Sequence, residues 1–124
     1  MIKAHGLDEI LRNRENISRI IAYGTGKRIN KFVDLFKDTA LWNKIDCFVD
    51  GNCEKWNTEM EFYGRKFKIL SPKKILELSS SDVIVVTCAD YVDIVEEFME
   101  KGISNSIYIL SWLINSKDKC KIRV

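Results

Sequence analysis

A glycine-containing turn carries the residues best suited to hold a charged ligand. Tyr23-Gly24-Thr25-Gly26 ends an apolar run that begins near Ile20 and leads into a helical pattern that extends to about Phe36. Backbone amides are exposed where such a helix starts, and together with the helix dipole they favour an anion such as a pyrophosphate. We therefore predict a ligand site at Tyr23, with phosphates over Gly24, Thr25, Gly26 and Lys27.

The same turn matches part of the dinucleotide-binding fingerprint. In that fingerprint the first glycine permits a tight turn, the second lets a phosphate approach the backbone, and the third allows close packing of helix on strand. Gly24 and Gly26 occupy the first two places, whereas Ile29 stands at the third. The alternative interpretation is a turn that has only a geometric role and binds no ligand.

An acidic residue closes the second predicted strand, which extends from Lys44 to Asp50. At this place in a dinucleotide-binding unit, a carboxylate accepts hydrogen bonds from the ribose diol. This interpretation makes Asp50 a ribose ligand that would repel a 2′-phosphate. An equally good interpretation is that Asp50 caps the turn at Gly51-Asn52.

Three polar residues, Thr87, Cys88 and Asp90, follow the strongest strand pattern of the chain. Ligands of open α/β sheets bind beyond the carboxyl ends of the strands, so we expect these residues on the far side of the ligand site. Asp90 is also a natural N-cap for the helix predicted from Tyr91 to Lys101, and we prefer this interpretation for it. Cys88 is the nucleophile candidate, because a helix N-terminus can lower the pKa of a thiol.

The sequence lacks the motifs of several enzyme classes. It has no Gly-x-Ser-x-Gly elbow, and Gly26-Lys27-Arg28 lacks the hydroxyl residue that holds magnesium in a P-loop. No general base accompanies Cys88, since the one histidine, His5, precedes the fold. The four cysteines, Cys47, Cys53, Cys88 and Cys120, form no Cys-x-x-Cys pair, which predicts free thiols and no metal site. We expect no catalytic residues, and we lean toward a chain without activity of its own.

Length and charge narrow the function classes further. The chain has 124 residues, enough for one domain, and its net charge of +2 does not suggest a nucleic-acid partner. No run approaches the roughly 20 apolar residues of a membrane helix, and no apolar signal core follows Met1. These features predict a cytoplasmic protein without membrane insertion.

Strand and helix patterns alternate along the chain. Lys66 to Leu70 is predicted as a short edge strand, a helix begins at Ser71-Pro72, and Ile107 to Leu110 is the last strand. Strands separated by helices of about ten residues indicate parallel βαβ units. We predict a Rossmann-like three-layer α/β sandwich with a mainly parallel sheet of four to five strands. A leading helix would occupy residues 1–17, the nucleotide-binding domain residues 18–110, and a tail packed on that domain residues 111–124.

These motifs resemble a family of small Rossmann-like domains in bacterial surface-polysaccharide biosynthesis proteins. The matching segments are Tyr23 to Gly26, Phe48 to Asn52, Glu54-Lys55-Trp56 and Gly64 to Pro72, within a resemblance that covers about residues 18–110. Similar domains form the N-terminal part of sugar-nucleotide dehydratases, where they are regarded as cofactor-binding or CoA-binding-like. Others belong to sialic-acid-type sugar acyltransferases, where they hold the UDP-sugar. The resemblance implies a nucleotide or nucleotide-sugar ligand, with NAD(H), a UDP-sugar and CoA as candidates, and a partner enzyme of glycan assembly.

Three hypotheses about function follow from these patterns. The first is a nucleotide- or nucleotide-sugar-binding module of bacterial surface-glycan biosynthesis. The second is a non-catalytic scaffold that docks a partner enzyme or self-associates, through the aromatic stretch Trp56 to Phe67 and through Trp112-Leu113-Ile114. The third is an NAD-dependent sugar-nucleotide oxidoreductase, or a fragment of one, that uses residues of a partner.

Overall fold

A single sheet organises the chain. The computed structural model describes residues 2–3 and 7–110. Within them seven strands form one sheet: β1 (Ile2–Lys3), β2 (Ile20–Tyr23), β3 (Ile45–Val49), β4 (Thr58–Phe62), β5 (Arg65–Leu70), β6 (Val83–Val86) and β7 (Ile107–Ile109). The α-helices of this part are α1 (Leu7–Arg12), α2 (Ile29–Phe36) and α3 (Tyr91–Glu100). Short 3-10 helices cover Arg14–Asn16, Trp42–Lys44, Cys53–Lys55 and Pro72–Glu77.

The order of the strands creates a natural binding edge. The order is β1-β7-β6-β2-β3-β5-β4, and every neighbouring pair is parallel except β4 with β5. The carboxyl ends of β2, β3 and β6 therefore share one edge of the sheet. The chain leaves β2 toward β3 on one side and later returns to β6 on the other side. Ligands of open α/β sheets bind at such a reversal of strand order, beyond the carboxyl ends of the strands.

Two apolar clusters cover opposite faces of the sheet, because successive side chains of a strand point in opposite directions. Ile20 and Ala22 of β2 belong to the cluster that includes the buried side chains of α2, which are Ile29, Phe32, Val33 and Phe36. Ile21 and Tyr23 belong to the cluster that includes the buried side chains of α3, which are Ile94, Val95 and Phe98. The helices α2 and α3 therefore lie on opposite faces of the sheet.

The predicted Rossmann-like three-layer sandwich with four to five strands is wrong. The described residues form a mixed sheet of seven strands with few α-helices. No α-helix separates β3 from β4, and the 3-10 helix Pro72–Glu77 alone leads from β5 to β6. The helical layers are therefore incomplete, and the fold is a mixed α/β sheet.

A β-hairpin replaces the irregular segment and the edge strand expected from the sequence. β4 pairs with β5 across the two-residue turn Tyr63-Gly64, with Phe62 opposite Arg65. Both turn residues have positive φ angles, +50° and +81°, as a type I′ hairpin turn requires. The expectation that Lys66 to Leu70 forms an edge strand is also wrong, because β4 pairs with the far side of β5 and is itself the last strand of the sheet.

The chain before β2 contributes a strand as well as a helix. β1 pairs with β7, with Ile2 opposite Ile107, and α1 buries Ile10 in the cluster under α2. Residues 111–124, with Trp112-Leu113-Ile114 and Cys120, lie outside the described residues, as does His5. In the described part of the chain, no helix has the length and apolar character needed to cross a membrane.

Candidate functional site

A cleft of about 440 Å³ opens at the carboxyl ends of β2, β3 and β6. Its lining includes all nine residues that the sequence predicts for ligand binding, which are Tyr23, Gly24, Thr25, Gly26, Lys27, Asp50, Thr87, Cys88 and Asp90. Five further lining residues were missed, which are Arg28, Gly51, Lys55, Ala89 and Ile94. The fold thus brings the three predicted segments together around one cavity.

Gly24 is required by the close approach of two strand ends. Its φ angle of +113° lies where side chains are strongly disfavoured. A Cβ atom on Gly24 would lie 2.5 Å from Cys88 Sγ and 2.9 Å from Thr87 Oγ1. Its amide donates a hydrogen bond to the Val49 carbonyl oxygen at 2.8 Å. The first glycine of the turn therefore packs β2 against its neighbours, and its amide is already paired.

Asp50 fixes the conformation of the turn. Its Oδ2 accepts hydrogen bonds from the Thr25 amide at 3.0 Å and the Thr25 hydroxyl at 2.5 Å. Its Oδ1 accepts one from the Asn52 amide at 2.8 Å, which is the turn-capping contact that the sequence offers as one of two interpretations. Lys55 Nζ lies 3.7 Å from Asp50 Oδ2 and 3.2 Å from Thr25 Oγ1.

The charge of Asp50 is stabilised by these contacts. Burial alone would raise the pKa of Asp50, but the hydrogen bonds from Thr25 and Asn52 and the charge of Lys55 lower it below its ordinary value. The carboxylate is therefore ionised at neutral pH. Since it holds the Thr25 amide, that amide is not free to bind a ligand.

The next three residues carry unpaired donors. Within residues 7–110, the amides of Gly26, Lys27 and Arg28 donate no hydrogen bond. The Nε atom of Arg28 is buried and also lacks a partner there, which is unusual because buried donors are nearly always paired. A Cβ atom on Gly26 would meet nothing within 4 Å. The start of α2 thus presents several donors and open space to the cleft.

Thr87 and Cys88 join the end of β6 to the turn. The Thr87 hydroxyl donates to the Tyr23 carbonyl oxygen at 3.2 Å, and Cys88 Sγ lies 3.5 Å from the same oxygen. Burial raises the pKa of Cys88 to about 11, and the carboxylates of Asp90 and Asp50 act in the same direction. Cys88 is therefore a protonated thiol at neutral pH, and a protonated thiol is a poor nucleophile.

Asp90 does not make the capping contact that was preferred for it. It occupies the N-cap position of α3, but its side chain accepts no hydrogen bond from the helix. It is exposed and lines the cleft instead. Its carboxylate is therefore available to a ligand.

Arg28 and Lys55 are the basic residues of the cleft lining that the sequence analysis missed, and the sequence gives a usable signal for one of them. Arg28 directly follows Lys27, so its position at the helix start is a usable signal. Lys55 reaches the cleft through the 3-10 helix Cys53–Lys55, whose Asn52 cap accepts a hydrogen bond from the Glu54 amide at 3.0 Å. That segment has no apolar period, so the sequence does not reveal its direction. The residues that the structure describes contain no cluster of three or more potential metal-binding side chains of His, Cys, Asp or Glu.

Comparison with known proteins places this chain in a family. Residues 16–109 match the family described as C2185-like, N-terminal. Searches of the curated proteins and of the solved structures found no match. The matched range contains β2 to β7 and every residue that lines the cleft. Because the match spans most of its length, the chain belongs to the C2185-like, N-terminal family.

Proposed function

We propose that the chain is a binding module for a nucleotide or nucleotide-sugar in bacterial surface-glycan biosynthesis. The observation that carries the proposal is the group of unpaired donors at residues 26–28 beside the cleft. NAD(H), UDP-sugars and CoA all contain the diphosphate that such donors would bind. The ligand class and the glycan context rest on the resemblance of the sequence motifs.

The contacts favour a phosphate beside Gly26, Lys27 and Arg28 rather than over the whole turn. The Gly24 amide is bonded to Val49 and the Thr25 amide to Asp50. The three amides that follow, together with Arg28 Nε, remain available as donors. Open space at Gly26 allows an oxyanion to approach the backbone at the helix start.

The charges of the cleft also favour an anionic ligand. Lys27, Arg28 and Lys55 contribute three cations to the lining, whereas Asp50 and Asp90 contribute two carboxylates. The Asp50 charge is compensated within the protein by Thr25 and Lys55. The cationic surplus therefore lies at the start of α2.

Two observations favour binding over the alternatives. Cys88, the nucleophile candidate, is protonated at neutral pH, which argues against an enzyme built on this thiol. The docking hypothesis uses two segments, of which Trp112-Leu113-Ile114 lies outside the described residues; in the other, from Trp56 to Phe67, Tyr63 is the one strongly exposed aromatic residue. We place the module in the cytoplasm, because Cys47, Cys53 and Cys88 are free thiols and free thiols suit a reducing compartment.

Calorimetric titration of the full chain with UDP-N-acetylglucosamine, NAD and CoA tests the proposal. We expect one of the three to bind and to raise the midpoint of thermal unfolding, because a ligand that binds only the folded state stabilises it. The absence of both heat and a melting shift with all three compounds would contradict the proposed function.

A charge-removing variant tests the position of the phosphate. Arg28→Gln removes a charge-assisted hydrogen bond, which contributes about 1.5–3 kcal/mol, so the ligand should bind at least about 10-fold more weakly. Lys66→Gln is the matched control, because Lys66 is exposed on β5 and does not line the cleft. Equal affinities of the two variants would mean that the phosphate does not lie at the start of α2.

A further inference from the structure

We propose that the hydroxyl group of Tyr23 determines specificity in this cleft by binding a neutral, hydroxyl-bearing ring of the ligand. This inference rests on the proposed function, since it adds a second contact to a ligand whose phosphate lies beside residues 26–28. The ring is either the ribose or the sugar of a nucleotide-sugar, because both carry hydroxyl groups next to a phosphate.

The Tyr23 hydroxyl is a polar group without a partner on a buried residue. Tyr23 is 8% exposed, and its ring packs edge-on against Phe98 with centroids 5.6 Å apart. Its oxygen lies 3.7 Å from the point where a Cβ atom on Gly51 would stand, and Tyr23 and Gly51 both line the cleft. Among the residues described, the Tyr23 hydroxyl forms no hydrogen bond, since the contacts of Thr87 and Cys88 reach the Tyr23 carbonyl oxygen instead. Arg28 Nε is the one buried side-chain donor or acceptor of the described residues that lacks a partner, so the Tyr23 oxygen is accessible from the cleft, where a group that enters can form a hydrogen bond with it.

The surroundings of this hydroxyl select the chemistry of that group. Burial raises the pKa of Tyr23 to about 12, and the negative charges of Glu97, Asp50 and Asp90 add to the effect. The phenol therefore stays protonated and can donate a hydrogen bond. The nearby carboxylates repel a second anion. A sugar hydroxyl is neutral, and it can accept from the phenol and donate to a carboxylate.

The cleft thus has two chemically different sides. Lys27 and Arg28 lie at the start of α2, whereas Tyr23 and Ile94 belong to the apolar cluster under α3. Ile94 supplies an apolar wall against which the carbon face of a ring can pack. A phosphate on the α2 side and a hydroxyl-bearing ring on the α3 side together describe a nucleotide or nucleotide-sugar.

The Tyr23→Phe variant isolates the contribution of the hydroxyl. Calorimetry with the full chain compares it with the wild type for UDP-N-acetylglucosamine, UDP and inorganic pyrophosphate. We expect about 3- to 10-fold weaker binding of the UDP-sugar, the effect of one lost hydrogen bond, and unchanged binding of pyrophosphate. If UDP weakens equally, the ring is the ribose. If only the UDP-sugar weakens, the ring is the sugar, and either result supports the inference.

Two other results overturn it. Unchanged affinity of Tyr23→Phe for all three probes, or a loss that includes pyrophosphate, overturns the inference and leaves the proposed function standing. A wild-type chain that binds none of the three probes also overturns the inference, and one that in addition binds neither NAD nor CoA contradicts the proposed function as well.

Two controls separate the hydroxyl contact from an effect on folding, and a third variant tests the position of the ring. Tyr63→Phe removes a phenol oxygen outside the cleft, one that donates to Asp34 at 2.5 Å, and should leave all affinities unchanged. Because the Tyr23 hydroxyl has no partner, Tyr23→Phe should unfold at the same or a higher urea concentration than the wild type. Gly51→Ala places a methyl group beside the intact hydroxyl and should also weaken the UDP-sugar. If it does not, the ring does not lie there and the inference fails.

Discussion

The two glycines of the turn after β2 have different physical roles. Gly24 combines a φ angle of +113° with a contact to Cys88 that leaves no room for a side chain. Gly26 faces open space and does not adopt a positive φ. One glycine is therefore needed by the fold, and the other leaves room for a ligand to reach the backbone.

Alanine substitutions should separate these roles. Gly24→Ala should lower the free energy of unfolding by at least about 2 kcal/mol, because it adds backbone strain and overpacks the strand ends. Gly26→Ala should change it by less than about 0.5 kcal/mol, yet should weaken the ligand by filling the space at the helix start. Urea unfolding and calorimetric titration of both variants measure the two effects. Normal ligand affinity of Gly26→Ala would show that no phosphate approaches there.

At the residue scale, spacing in the sequence predicted which residues meet but not how they pair. The order of strand, glycine turn and helix placed Tyr23, Asp50 and Thr87 at one edge, and the cleft contains all three. The bond from Thr25 to Asp50 could not be predicted, because it depends on the backbone direction within a loop. That bond matters for function, since it removes the Thr25 amide from the set of ligand donors.

At the element scale, the strongest periodic patterns gave the correct elements. The apolar spacing of Ile29, Phe32, Val33 and Phe36 predicted a helix, and all four side chains are buried in α2. The hairpin of β4 and β5 was missed because its turn, Tyr63-Gly64, has a bulky residue at a position with positive φ. Hairpin turns of this type usually have Asn or Asp there, so the sequence carried only the glycine as a signal. Because β4 was missed with this turn, and β1 was missed as well, the predicted sheet of four to five strands was smaller than the observed sheet of seven.

The same turn offers a test of the hairpin. Gly64 has a φ angle of +81°, and a Cβ atom on it would meet nothing within 4 Å. Gly64→Ala should therefore cost only the strain of that conformation, about 1–2 kcal/mol of unfolding free energy. Gly64→Asn should cost less, because asparagine tolerates positive φ. Urea unfolding of the two variants measures the difference, and equal stability of Gly64→Ala and the wild type would contradict the turn geometry.

At the scale of the whole molecule, the two edges of the sheet differ in chemistry. The cleft lies at the carboxyl edge, whereas an ion pair lies at the opposite edge, before β2 and β6. There Asp82 is fully buried and accepts hydrogen bonds from Arg19 Nη2 at 2.7 Å and from the Ser79 amide at 2.9 Å. This ion pair joins the starts of β2 and β6, at the ends of these strands that lie away from the cleft. Its role is therefore to stabilise the fold, and its residues can be replaced without a change to the ligand site.

The ion pair predicts how stability depends on pH. Burial alone would raise the pKa of Asp82, but the hydrogen bonds from Arg19 and Ser79 lower it below its ordinary value. A carboxyl group with a lowered folded-state pKa stabilises the protein above its unfolded pKa of about 3.9, and the contribution is lost as the pH falls through the folded value. Asp50 has a lowered pKa as well and acts in the same direction. The wild type should therefore lose stability below about pH 4.

Replacement of Asp82 should remove part of this acid sensitivity. Asp82→Asn should lower the free energy of unfolding by about 3 kcal/mol at pH 7, the lower end of the cost of breaking a buried ion pair, because Arg19 is 38% exposed. The deficit relative to the wild type should shrink as the pH falls from 4 to 2, because the wild-type carboxylate is then protonated. Asp46→Asn is the control, since Asp46 forms only a 3.8 Å surface pair with Arg19 and should have little effect. Urea unfolding at several pH values measures the deficit, and a deficit that stays constant down to pH 2 would mean that the charge of Asp82 does not stabilise the fold.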